Sequence, residues 1–172
     1  MVDTPRTLVV VRHAKAESLG TTDFERELSE RGRADAAAGG RWLAAAGVLP
    51  QRALVSAAVR TAQTWRETAA GAGWDLEPEL DRGLYAADVD NALDLVRALD
   101  DAVTSVVVVG HNPTMAALAQ LLDDGEGDVE AGNAMATGSF PTSATAVFTC
   151  RGPWADVHPA TATLLAYHVG RG

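Results

Sequence analysis

Two runs of consecutive aliphatic residues stand out from an otherwise mixed pattern: Leu8-Val9-Val10-Val11 and Val106-Val107-Val108-Val109. A run without period-two alternation belongs to a strand buried on both faces, because a half-exposed strand would place every second residue in water. Each run ends abruptly in polar residues, Arg12-His13-Ala14-Lys15 after the first and Gly110-His111-Asn112-Pro113 after the second. A third segment, Ala53-Leu54-Val55, follows the same plan and turns at Ser56 into helical spacing.

Between these strands the apolar period lengthens to that of a helix. Ser29 is placed to cap a helix running to about residue 46, with Ala34, Ala37, Ala38, Trp42 and Ala45 on one face and Gly47 ending it. Ala58, Ala62, Trp65 and Ala69 mark a second helix, followed by Gly71, and Leu93, Val96 and Leu99 turn inward from a third over residues 90–99. A fourth begins with Asn112 as cap and Pro113 in first position, turning Met115, Leu118, Ala119 and Leu122 to the sheet. Residues 123–139, rich in Asp, Glu, Gly and Asn, read as a flexible loop, whereas residues 144–149 and 163–168 read as strands. Trp42 and Trp65 are expected in the core, and His158 and His168 in structural roles. Strands alternating with helices in this way predict an α/β fold: one domain, a three-layer α/β/α sandwich around a mostly parallel sheet.

Folds of this kind keep their chemistry where parallel strands end. His13 and His111 both stand at such ends, and Arg60 lies in the first turn of the helix after Ser56. Helix N-termini present unpaired N–H groups, and a guanidinium presents a planar fork that matches two oxygens of a phosphate. The implied ligand is an anion.

These residues resemble the histidine phosphatase superfamily, which also contains the phosphoglycerate mutases. Its Arg-His-Gly motif is matched by Arg12-His13-Ala14, its Ser-x-x-x-Arg-x-x-x-Thr segment by Ser56, Arg60 and Thr64, and its late Gly-His by Gly110-His111. The stretch Arg26-Glu27-Leu28-Ser29-Glu30-Arg31-Gly32 is similar to the family's Leu-Thr/Ser-x-x-Gly helix start. The motifs, in family order, cover roughly residues 7–122, and the start Arg-His-Ala-Lys-Ala looks most like the SixA-type phosphohistidine phosphatases. The resemblance implies a phosphoglycerate mutase-like fold and a phosphatase. In it His13 would be the nucleophile, forming a phosphohistidine that water hydrolyses, while Arg12, Arg60 and His111 would hold the phosphoryl oxygens. An imidazole is suited to attack near neutral pH without a large pKa shift, and His111, if protonated, would add a charged donor. Arg26 is a candidate accessory substrate contact. The cations Arg12, Lys15, Arg26, Arg31 and Arg60 are expected to gather at one edge of the sheet.

The chain departs from the family at the general acid. Many members carry a glutamate shortly after the third motif, but Leu80-Asp81-Arg82-Gly83-Leu84-Tyr85-Ala86-Ala87 has none after Glu79. Asp81, Glu17, Asp23 and Glu25 are the acids at hand, and none is assigned the role. An alkoxide leaves slowly without a proton donor, whereas an imidazole is a far better leaving group. The expectation is therefore a phosphohistidine on a protein. A small phosphorylated metabolite cleaved as an ester, a mutase with little chain for a cap, and a non-catalytic phosphate-binding module stand as alternatives. The short connection from the first strand to Ser29 suggests an open pocket mouth.

Composition narrows the classes further. A formal net charge of −9 opposes nucleic acid binding, which needs a basic face. The aliphatic run at residues 8–11 is too short for a signal peptide, no stretch approaches the roughly 20 apolar residues of a membrane span, and a single cysteine forms no internal disulfide. A cytoplasmic protein is expected, with no membrane, cofactor or metal, and with the oligomeric state open, a monomer included.

Overall fold

The computed structural model describes residues 3–172 and shows why the aliphatic runs do not alternate. β1 (Arg6–Arg12) and β4 (Ser105–Gly110) are parallel neighbours at the centre of a six-stranded sheet. β2 (Arg52–Ser56) and β3 (Glu79–Asp81) extend the parallel part beyond β4, while on the other side of β1 the strand β5 (Ala144–Cys150) pairs antiparallel with β1 and β6 (Ala162–Val169) antiparallel with β5. The strand order is β3-β2-β4-β1-β5-β6.

Successive side chains of each valine run enter opposite layers. Val9, Val11, Val107 and Val109 pack with Leu43 and Trp65 beneath α1 (Glu30–Ala45) and α2 (Val59–Ala72). Leu8, Val10, Val106 and Val108 pack with Leu93, Val96, Met115 and Leu118. Those residues come from α4 (Val89–Arg97) and α5 (Thr114–Leu122), which follow the one-turn α3 (Arg82–Tyr85). The result is the predicted three-layer α/β/α fold with a mostly parallel sheet.

Four local expectations need correction. Residues 123–139 are not one loop: α6 (Val129–Thr137) forms there, capped by the Asp128 side chain accepting from the Ala131 N–H at 2.8 Å, and buries Ala131 and Met135. Acidic and glycine-rich composition masked one short amphipathic stripe.

The buried face of α1 is Gly32, Asp35, Ala36, Gly39, Gly40 and Leu43, while Ala34 and Ala45 are exposed and Trp42 is half-buried, stacked on His168 at 4.7 Å. The cause is close helix contact. A methyl group at Gly40 would meet the Thr68 carbonyl oxygen, and one at Gly71 the Ala37 carbonyl oxygen, so α1 and α2 touch through glycines rather than alanines. Gly40→Ala is therefore expected to destabilise the fold by about 2 kcal/mol through overpacking, read as a lower urea midpoint at unchanged slope; an unchanged midpoint would refute the glycine contact.

Gly71 lies inside α2, and Gly73, at φ 74°, closes it. Asn112 lies just before the cap position of α5, which Pro113 occupies, although its Oδ1 still accepts from the Ala116 N–H at 3.2 Å.

Among the described residues no helix is long and apolar enough to cross a membrane. Cys150 is buried in β5, which pushes its thiol up to about 11.

Candidate active site

The parallel register builds the site. Val11 is level with Val109 and Arg12 with Gly110, so the chains leave β1 and β4 side by side as His13 and His111, and the His13 N–H donates to the Gly110 carbonyl at 3.0 Å. The two imidazole centroids stand 5.4 Å apart. Val55 pairs with Val109 across the β2–β4 ladder, which brings Ser56 to the same edge, with its Oγ 2.7 Å from His111 Nε2.

His13 is buried and its Nδ1–H donates to the Ala14 carbonyl at 2.7 Å. That bond leaves the lone pair on Nε2. The Ala14 N–H in turn donates to Thr64 Oγ1 at 3.0 Å, and Thr64 Oγ1 donates to the Arg60 carbonyl at 2.7 Å. Motif residues just after β1 and on α2 thus hold one another.

Arg60 enters from the first turn of α2 and is 5% exposed. Its Nη1 donates to the Asp23 carbonyl at 2.7 Å and its Nη2 to Asp23 Oδ2 at 3.1 Å, and its guanidinium lies 5.9 Å from the centre of the Tyr85 ring. Arg12 Nη1 donates to the Phe140 carbonyl at 3.3 Å, an oxygen that Asn112 Nδ2 also reaches at 2.9 Å. Among the described residues, Arg12 Nε, Arg60 Nε and His111 Nδ1 are buried with no hydrogen-bond partner. Buried nitrogens left unpaired on three residues of one site are costly unless a ligand completes them.

Electrostatics lowers the pKa of both histidines, although attack near neutral pH requires no such shift, and rules against a charged His111. Burial pushes the His13 imidazole down to about 4; the bond to Ala14 opposes the shift, and Arg60, Arg12 and Arg26 reinforce it. Burial, with Arg60 and His13, takes His111 down to about 3 against the opposing pull of Asp23. Both rings are neutral at neutral pH in the protein alone, so His111 is a neutral donor here rather than a charged one.

The loop between β1 and α1 is more than an open margin. The Glu17 N–H donates to the Glu27 carbonyl at 2.8 Å, folding the loop back, and the Phe24 carbonyl accepts from the Val59 N–H at 3.0 Å. The fold-back sets Asp23 at the mouth, where Oδ1 accepts from Arg26 Nε and Nη2 at 3.0 and 2.8 Å, and Oδ2 accepts from the Tyr85 hydroxyl at 2.6 Å as well as from Arg60. Tyr85 first, then Arg26 and Arg60, hold the Asp23 carboxyl far below the usual carboxylate range.

Arg26 is thus brought to the site but committed to Asp23 and to the Glu17 carbonyl at 2.9 Å. Of the other cations expected at this edge, Arg31 instead pairs at 3.8 Å with buried Asp35 on α1. Asp81 caps α3, its Oδ1 accepting from the Leu84 N–H at 3.0 Å, so that carboxylate is structural. Sequence reasoning missed Tyr85 and left Asp23 among several acids. Tyr85 carries no motif signal and reaches the site only because β3 pairs with β2 and α3 turns back from it.

Comparison with known proteins gives the family and the fold. Residues 8–92 match the histidine phosphatase superfamily (branch 1). The chain is 37% identical over 162 residues to Uncharacterized protein Rv1276c of Mycobacterium tuberculosis strain H37Rv, covering 94% of this chain and all of that one. The structure of a putative phosphohistidine phosphatase SixA from Nakamurella multipartitia superposes with a TM-score of 0.78 at 33% identity, covering 96% of each chain. That of a protein histidine phosphatase SixA complexed with tungstate gives a TM-score of 0.76 at 25% identity, covering 95% of this chain and 96% of the other. Sequence motifs, fold and relatives converge: the chain is a SixA-like member of the histidine phosphatase superfamily, and with it a phosphatase.

Proposed function

We propose that the protein hydrolyses phosphohistidine on a protein substrate through a covalent intermediate on His13. Its Nε2, free because Nδ1 is bonded to Ala14, attacks phosphorus; the bond to the leaving imidazole nitrogen breaks, and water then attacks the phosphoryl group on His13, releasing inorganic phosphate. Arg12, Arg60 and His111 hold the equatorial oxygens. Charge spreads over these oxygens in the transition state, so fixed donors stabilise it more than they stabilise the free substrate.

The observation that carries the choice of substrate is the state of Asp23. Among the described residues it is the carboxylate bonded to the site's arginines, and Tyr85, Arg26 and Arg60 keep it ionised. It holds no proton for a leaving group at neutral pH. A phosphorylated imidazole takes its proton from solvent, whereas an aliphatic alkoxide needs a donor. The name of the SixA neighbours, phosphohistidine phosphatase, supports the same reading.

The test compares kcat/KM for a phosphohistidine peptide with that for an alkyl phosphate ester. A preference of at least about a hundredfold for the P–N substrate is expected from a missing acid. Equal or better ester hydrolysis would assign the enzyme a small phosphorylated metabolite instead.

The pH dependence has a definite sign. Below about 4 the His13 imidazole takes up a proton and loses its lone pair, so activity falls as pH drops through that value. With substrate ionisation divided out, kcat/KM is expected to stay level from pH 8 to about pH 5, with its acid limb near pH 4. A limb centred near 6.5 would show that His13 is not desolvated as its burial demands.

A further inference from the structure

Ser56 belongs to a motif of the chain, yet nothing above gives its hydroxyl a task in the reaction. It is the last residue of β2, fully buried, with its carbonyl accepting from Thr61 Oγ1 at 2.7 Å. Its Oγ has two neighbours within hydrogen-bonding distance: the Ala58 N–H, which it accepts at 3.4 Å, and His111 Nε2 at 2.7 Å.

The inventory of donors decides which way the second bond runs. A backbone N–H donates only, so the serine proton is not spent on Ala58. If His111 carried its proton on Nε2, Ser56 would accept twice and its own O–H would be buried with no acceptor. Nδ1 would then face its surroundings as a bare lone pair, although it too is buried and has no partner among the described residues. If Ser56 donates instead, Nε2 accepts, the O–H is satisfied, and the ring proton lies on Nδ1. Only the second arrangement leaves a donor where the site lacks a partner.

We infer that Ser56 is a positioning residue: by donating to His111 Nε2 it places the ring's single proton on Nδ1, making a neutral imidazole a donor to a phosphoryl oxygen. The need for such a device follows from the neutrality of His111 beside Arg60, His13 and Arg12. A charged ring would offer both protons whatever its neighbour did, whereas a neutral ring offers one and must have it on the correct side. The inference rests on the phosphoryl-transfer reading for the identity of the anion but not for the direction of the Ser56 bond.

The experiment is long-range 1H–15N correlation spectroscopy of the 15N-labelled protein at neutral pH, paired with tungstate titration. Only four histidines need assignment. In wild type, His111 is expected to show a protonated Nδ1 and an unprotonated Nε2; a protonated Nε2 overturns the inference without any variant having to fold. In Ser56→Ala the His111 signals are expected to shift toward the other tautomer while the His13 signals persist, with tungstate binding weaker by about tenfold or more, the range of one hydrogen bond to a charged group. Ser56→Thr, which keeps a hydroxyl, is expected to restore the Nδ1–H form and much of the binding. If Ser56→Ala retains both the wild-type tautomer and the wild-type affinity, the hydroxyl is structural and the inference fails. A wild-type protein with the expected tautomer and tungstate binding that leaves phosphohistidine uncleaved would overturn the proposed substrate and leave the role of Ser56 standing.

Discussion

Replacing His13 by glutamine is expected to lower kcat/KM by about 10^4-fold or more, because the group that forms the covalent bond is gone and water must attack phosphorus directly. Glutamine fills much of the same buried volume and retains a hydrogen-bonding end near the Ala14 carbonyl, so the loss should not come from unfolding. A paired measurement makes the role specific. Rapid quenching of wild type during turnover is expected to trap phosphate on the protein in an acid-labile, base-stable bond, and the variant should trap none. Turnover by the variant within tenfold of wild type, or a trapped phosphoryl group on another residue, would remove His13 from the reaction.

The second large effect is expected at Arg60. Arg60→Lys keeps the charge but loses the planar fork, and with it both the paired donation to Asp23 and the buried Nε that none of the described residues satisfies. The expected loss is on the order of 3 kcal/mol in transition-state stabilisation, about a hundredfold in kcat/KM. It should fall on kcat at least as heavily as on KM, since the phosphoryl charge that Arg60 meets is more spread in the transition state than in the substrate. Asp23 is largely exposed, so releasing it should move the melting temperature little. A loss confined to KM would reduce Arg60 to ground-state binding, and a loss below about threefold would take it out of the phosphoryl site.

Asp23 shows how one loop residue connects these effects. Its carboxylate fixes Arg60 and Arg26 and receives the Tyr85 hydroxyl, and the same bonds deny it a proton. A group that resembles a candidate acid in sequence is, in three dimensions, a clamp on two arginines.

Much of the site was legible in the chain. The valine runs announced strands buried on both faces, and the residues that ended them, Arg12, His13 and His111, proved to share one edge because β1 and β4 pair in parallel register. Arg60 followed from its place in the first turn after Ser56. Other features were invisible because they depend on partners distant in sequence. The buried face of α1 shifted to Gly40 and its neighbours because a carbonyl of α2 lies against it, and α6 formed where composition read as loop because β6 offers Ala131 and Met135 a place to bury.

The sequence by itself determined the strand cores, the order of the motifs and the residue types that can hold a phosphoryl group, since buried strands and anion sites leave local patterns of hydropathy and charge. Tertiary structure alone decided which acids cap helices and which clamp arginines, that both site histidines are neutral, and which nitrogen of each ring is left free. Those properties are set by burial and by hydrogen-bond partners such as Ser56 for His111, 55 residues away, and local spacing carries no record of either.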